Sequence, residues 1–443
     1  MHKLILAATV MACALGASAA AQTTLPAAPP LPPWVPPAPG QPVEAQPPNT
    51  KFSPAFPGQT RGPYEPTHVS YEVKTYAQGL DHPWGLAFLP DGRLLVTERL
   101  GRLRIVSPDG TISPPVAGLP AVDARQGGGL LDVAVDPDFA SNHLIYWVYA
   151  EPRGGGAGTT VARARLVFTP VDARLKGLNL TATDPLIIST FAGGAHVEDI
   201  QFIFRTWPTV DTMRSFGSRL VFGPGQTLFI TTGDFDFDPY RPLVQRLDTS
   251  VGKVVRINRD GSIPRDNPYL NTPGARPEVW AVGFRNPLGA AIDPKTGELW
   301  ENENGPRGGD ELNLVRAGKN YGWPVIGYGE EYSGAQVGQG ITQQAGMEQP
   351  VYYWDPVIAP SGMAFYEGDL FPAWKGSLFI GALRQKHLVR LSLRGDKVVG
   401  EERLLTEVGE RIRAVIPGPD GALYLLTDAD RGRVLKVVPK AGP

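Results

Sequence analysis

The chain has 443 residues, 42% apolar and 19% charged, so it can bury a large core and is not disordered throughout. Lys and Arg total 42 against 44 Asp and Glu, a net charge of −2 that gives no electrostatic reason to expect nucleic acid or an anionic membrane as partner. Its 52 glycines and 45 prolines suit many short strands and turns and disfavour a helical bundle.

The longest apolar run, Leu4 to Leu15, is shorter than the roughly 18–20 residues that span a bilayer, so no integral membrane contact is expected. Lys3, this run and the small residues Ala17-Ser18-Ala19 before Ala20-Ala21-Gln22 predict a secretory signal peptide over residues 1–21, hence a periplasmic or secreted protein. Cys13, the only cysteine, falls inside it. The mature chain therefore has no disulfide, thiolate metal site or cysteine nucleophile. Val10-Met11-Ala12-Cys13 also reads as a poor lipobox, which makes lipoprotein anchoring at Cys13 the weaker alternative. Residues 22–66 are Pro-rich and predict an extended, semi-rigid linker without chemistry of its own.

From residue 67 to 443 one pattern recurs: an apolar strand, a Pro/Asp/Gly turn, and a second apolar strand. It is found at 85–98, 130–149, 218–234, 288–303, 361–383 and 412–428. Further strands follow at 101–107, 252–258, 388–393 and 432–438. Self-similarity at a period of about 60 residues predicts an all-β, six-bladed β-propeller of four-stranded antiparallel blades, with a pair of β-sandwiches as the alternative.

In a propeller, loops at one end of the channel bring distant residues together, and three segments carry suitable chemistry. Arg411 and Arg413 flank Ile412, so on a strand both guanidiniums project to one face and call for an anion between them. A solvated edge is the competing reading. Trp300 to Glu311 holds a Gly-rich loop (Gly305, Gly308, Gly309) among four carboxylates, a carbonyl-and-carboxylate density that suits calcium better than zinc. A plain acidic turn fits it equally well. Arg285 and Asn286 place a cation and an amide just before an inner strand. Nucleophile options are poor: GxSxG, HExxH and a dinucleotide fingerprint are all absent from the mature chain. The histidines are scattered, and His82 reads as structural.

The segments LDHPWGLAFLPDG (80–92), GLLDVAVDPDF (129–139), FRNPLG (284–289), NGPRGGDELNLVRAGKNYGWPV (304–325), SGMAFY (361–366), LFIGAL (378–383) and ERIRAV (410–415) resemble the soluble aldose sugar dehydrogenases. These belong to the glucose/sorbosone dehydrogenase family of pyrroloquinoline quinone (PQQ) enzymes. The resemblance implies a propeller holding PQQ and calcium over the channel mouth, oxidising an aldose sugar at its anomeric carbon and passing electrons to an external acceptor, as a monomer or homodimer. By motif match Arg411 and Arg413 would hold PQQ carboxylates, with Arg285 and Asn286 on its opposite edge. Tyr332, Ala382, Leu383 and Arg384 would also sit against the cofactor. Gly305 and Pro306 would offer carbonyls to calcium, and Glu311 and Tyr321 match a second calcium position.

The departures from the family pattern concern protons. The family's base histidine is replaced by Ser215, far too weak a base at neutral pH. The family glutamine falls on Gly127, with Gln126 displaced by one; Arg384 replaces a lysine and Asn304 a histidine or glutamine. Asp234 and Asp310, and less so Asp211, are the candidate substitute bases. Two alternatives follow: a catalytically impaired sugar- or quinone-binding propeller, and a calcium-dependent lactone or ester hydrolase.

Overall fold

A computed structural model of the protein describes residues 34–168, 194–211, 214–236 and 238–440. The expected signal peptide, Cys13 and the first part of the Pro-rich segment lie outside the described residues. Six antiparallel sheets follow one another along the chain. Blade one comprises Pro83–Phe88, Leu94–Glu98 and Arg102–Val106; blade two Leu130–Val135, Leu144–Arg153, Gly156–Phe168 and Ala195–Arg205. Blade three comprises Gly217–Gly223, Thr227–Thr232, Lys253–Asn258 and Val279–Val282; blade four Pro287–Ile292, Leu299–Glu303, Asp310–Val315 and Tyr352–Trp354. Blade five comprises Pro360–Tyr366, Ser377–Ala382, Leu388–Arg394 and Lys397–Leu404. Blade six starts with Ile412–Pro417, Leu423–Thr427 and Gly432–Pro439, and its outer strand comes from the other end of the domain, Tyr71–Leu80. The architecture is a six-bladed β-propeller. Blade one departs from the expected four strands: it has three, extended by residues 111–116, where Ile112 bridges Val106 and the amides of Ser113 and Val116 donate to Ile105 O and Leu103 O, each at 2.8 Å.

All six repeats fall on the first two strands of a blade, because these strands are buried on both faces and read as continuous apolar runs. The turn between them is set by local chemistry. In blade one Gly92 takes φ 86°, and the Asp91 carboxylate accepts the amide of Arg93 at 3.1 Å. Gly421 in blade six repeats the device at φ 79°, a region where any side chain is strained. The first strands of neighbouring blades touch all the way round the ring. Six apolar clusters fill the six interfaces, such as Leu103 and Ile105 against Trp147 and Tyr149, or Phe371 and Trp374 against Leu425 and Leu435. Each fully buried aliphatic or aromatic side chain there contributes about 1.5–3 kcal/mol.

The channel is closed by Arg219 of blade three. Its Nε donates to Leu288 O of blade four at 2.6 Å, and Nη1 to Asp132 of blade two at 3.0 Å. Nη2 donates to Arg413 O of blade six at 3.2 Å, and the guanidinium lies 4.3 Å from the Trp84 ring of blade one. Blade five approaches so closely at Gly362 that a Cβ there would lie 2.8 Å from Arg219 Nη2.

The described part of the Pro-rich segment corrects the expectation of a tether. Residues 41–66 lie along the outer edges of blades four and five. Glu401 donates its amide to Pro63 O at 2.9 Å and Tyr353 its amide to Gln59 O at 2.8 Å. Glu44 pairs with Arg403 at 2.9 Å, both buried. Proline removes backbone donors but leaves carbonyls free to accept, so an extended Pro-rich chain can still dock on a sheet edge.

Arg219→Leu leaves the Asp132 carboxylate buried without its partner and should cost about 3–5 kcal/mol of stability, read by urea unfolding. Replacing Asp132 with Leu as well should recover part of that loss. An unchanged midpoint in the single variant would contradict the central role given to Arg219.

Candidate active site

Above Arg219 a cavity of about 350 Å³ opens between the blades. Arg411, Arg413, Asp428, Leu383, Asn286 and Ser215 line it. Blade six pairs Ile412 with Thr427, which sets residues 411 and 428 side by side, and the Asp428 amide donates to Arg411 O at 2.9 Å. The anion expected between the two arginines is thus partly supplied by the chain itself. Asp428 Oδ2 accepts from Arg411 Nη2 at 2.8 Å and from Arg413 Nη2 at 2.7 Å. Burial opposes ionisation of Asp428, but Arg413 and Arg411 together hold its carboxyl well below the usual range. One carboxylate between two guanidiniums leaves one positive charge over. Arg411 is 43% exposed, and Arg413 Nε is buried without a partner.

Asn304 also lines a second, much smaller pocket of about 10 Å³, the space of one ion or water. Gly305, Pro306, Glu311 and Tyr321 border it together, as expected, with Arg285 and Glu303. Arg285 Nη1 donates to Asn304 O at 2.9 Å and to Gly305 O at 3.1 Å; Nη2 reaches Asp236 at 3.2 Å. The Glu303 carboxylate accepts the amides of Arg285 and Asn286. Burial pushes Glu303 up to about 8. Glu301 and Glu311 are raised by burial and by the charge of Glu303. Glu301 Oε2 is buried without a partner, so the cluster holds acceptor oxygen that the protein leaves unsatisfied. Among the described residues no three His, Cys, Asp or Glu side chains converge as a ligand set, so a cation here needs backbone carbonyls. Gly305 O retains a second lone pair beside Arg285. The Tyr321 hydroxyl is not free: it donates to Leu314 O and accepts the Arg316 amide at 2.8 Å.

Several expected residues stand elsewhere. Tyr332 is 62% exposed and lines neither cavity. Ala382 is buried in its strand and Arg384 is exposed; of this trio only Leu383 reaches the cavity. Asp234 and Asp310 are buried and line neither cavity, each carboxylate being consumed in local hydrogen bonds. Asp234 accepts the Asp236 amide and the Trp323 indole, both at 2.8 Å. Asp310 accepts the amides of Gly305 (2.9 Å), Ile358 (2.8 Å) and Ala359 (2.7 Å), while burial pushes it up to about 7. Asp211 is exposed and lines neither cavity. Ser215 faces the cavity at φ 49°, its carbonyl accepting the Phe235 amide at 3.2 Å. Asn286 Oδ1 accepts the Gly217 amide at 3.2 Å. Sequence reasoning missed Asp428, Arg99 and the cavity face of His82. Only Asp428 had a signal, its hairpin register opposite Arg411.

The profile of the glucose/sorbosone dehydrogenases matches residues 80–436. The chain belongs to the glucose/sorbosone dehydrogenase family. The aldose sugar dehydrogenase YliI of Escherichia coli, a relative, is 44% identical over 375 residues, 84% of this chain and 94% of its own length. The crystal structure of the soluble aldose sugar dehydrogenase from Escherichia coli, in its apo form, is 43% identical and superposes with a TM-score of 0.74 over 84% of this chain and all of that one. The PQQ-bound aldose sugar dehydrogenase from Streptomyces coelicolor is 29% identical, with a TM-score of 0.62 over 84% of this chain and 99% of its own. Residues 34–66 lie outside the profile's match.

Asp428→Asn should destabilise the protein by about 1.5–3 kcal/mol at pH 7, the scale of hydrogen bonds to charged groups. The folded carboxyl titrates below its unfolded value, so its stabilisation is complete at neutral pH. That contribution fades as pH falls below about 4. Unfolding curves should therefore show a full gap between variant and native protein at pH 7, a gap that starts to shrink below about pH 4 and closes only as pH falls through the lowered folded value.

Proposed function

We propose that this chain is a periplasmic, PQQ- and calcium-dependent dehydrogenase that oxidises an aldose sugar at its anomeric carbon and hands electrons to an external acceptor. The observation that carries the proposal is the pairing across Asn304 of a site that calls for an anion with one that offers oxygen to a cation. One is a cavity with a surplus guanidinium charge, the other a carbonyl-lined, acid-rich pocket of single-ion size. A multiply charged organic anion held beside a hard cation meets both demands. The family and its PQQ-bound member from Streptomyces coelicolor supply the identity of such a pair.

On this reading Arg411 and Arg413 hold quinone carboxylates, Asn286 borders the quinone, and Gly305 O and Pro306 O face calcium. When bound, the quinone supplies a two-electron acceptor whose reactive carbonyl calcium polarises. The protein's remaining task is to remove the proton of the sugar's anomeric hydroxyl. Ser215 stands at the base position and cannot accept it unaided. Asp234 and Asp310 line neither cavity, which supports slow turnover over a relocated carboxylate base. The same observation favours the second reading, a propeller that keeps its ligands and has lost oxidation.

Arg411→Ala and Arg413→Ala should each weaken PQQ binding by about 1.5–3 kcal/mol in a direct titration. Chelation should lower the melting temperature, and calcium should restore it better than magnesium. Ser215→His should raise the rate of sugar-dependent quinone reduction by about 10²–10⁴-fold. Tight PQQ binding in native protein and variant, with no reduction by any aldose in either, would leave the binding propeller standing.

A further inference from the structure

The arm that precedes the family segment does more than cover a sheet edge. Thr50 Oγ1 donates to Asp355 at 2.7 Å and stands 3.2 Å from Tyr328 O. Its Cγ2 lies 2.5 Å from the point a Cβ on Gly308 would occupy. Gly308 has φ +85°, and a Cβ on neighbouring Gly309 would meet the Tyr328 backbone at 2.5 Å, so this stretch is pressed between the arm and the Tyr328 segment. Gln59, fully buried, donates to Pro350 O at 2.9 Å, and its Oε1 shares the Tyr328 hydroxyl, at 3.1 Å, with the nearer Gln349 Oε1 at 2.6 Å. Tyr328 borders the small pocket together with Gly305, Pro306 and Gly309. A second route runs through the same arm. The amides of Asn49 and Thr50 grip the Asp355 carboxylate, and Asn49 Oδ1 accepts the Val357 amide at 3.2 Å. The next two amides, of Ile358 and Ala359, bind Asp310, whose other oxygen holds the Gly305 amide.

We propose that residues 49–62 form a strap that fixes the Gly305–Gly309 loop, with Thr50 and Gln59 as positioning residues for the cation-binding carbonyls. The part concerning calcium rests on the proposed function; the fixing of the loop does not. The arm is Pro-rich, so little conformational entropy is lost on docking, and the side chains of Asn49, Thr50 and Gln59 are spent on the segments that border this loop.

The test uses the full chain. Thr50→Val, Gln59→Leu, the conservative Thr50→Ser, and Trp34→Ala are compared, the last removing an arm contact to Tyr64 remote from the loop. Calcium chloride is titrated calorimetrically into chelator-treated protein, and amide hydrogen exchange is followed at residues 305–309. Thr50→Val and Gln59→Leu should weaken calcium binding roughly five- to tenfold and speed exchange in the loop. Thr50→Ser should behave as native, and Trp34→Ala should lower the melting temperature alone. Native calcium affinity and native loop exchange in both Thr50→Val and Gln59→Leu would overturn the strap. If the native protein binds neither calcium nor PQQ, the functional reading fails and loop exchange alone decides: faster in those two variants supports the strap, unchanged refutes it.

Discussion

Arg219 is where the fold and the site meet. Its guanidinium bonds to blades two, four and six, stacks on Trp84 of blade one, and excludes any side chain from Gly362 of blade five. A ring of sheets needs a centre that fixes each blade relative to the others, and apolar packing is poorly suited to do so because it is non-directional. Directed donors in a fixed planar fork provide that registration. The same contact sets the floor of the cavity, since Trp84, Leu288 and Arg413 are also lining residues. Any shift of blade against blade would therefore be felt first where the ligand lies.

The two halves of the site have opposite electrostatic problems. At the mouth, two arginines share one carboxylate; in the pit, Glu301, Glu303 and Glu311 crowd on paired strands with burial against them. Arg285 stands at the boundary and spends itself on carbonyls and Asp236. The charge of Arg285 offsets only part of the burial that holds Glu303 up. Such imbalance is tolerated in folded proteins mainly at functional sites.

The repeats were legible because inner strands are apolar on both faces and their turns need specific residues. Outer strands were not. Tyr71–Leu80 is interrupted by Glu72, Lys74, Thr75 and Gln78, Lys397–Leu404 is half charged, and Tyr352–Trp354 has only three residues. Arg411 and Arg413 were readable from spacing, whereas Asp428 required knowing the hairpin register. Asp234 and Asp310 misled because an acid's type says nothing of whether backbone amides have claimed it. Proline content hid the docking of the arm, since composition reports stiffness and not destination.

The outer strand of blade six has one more consequence. Tyr71 pairs with Pro439 and Leu80 with Gly432, so the ring is fastened by joining the beginning of the domain to its end. Five blades can form from neighbouring sequence, but closure waits for the last strand to be made. Contacts this distant in sequence form slowly. Until then the third strand of blade six, Gly432–Pro439, has an open edge able to pair with the Tyr71–Leu80 strand of another copy. A chain still being made would carry this clasp undone until its last residues appeared, whereas a chain refolding from full length could fasten it at any stage.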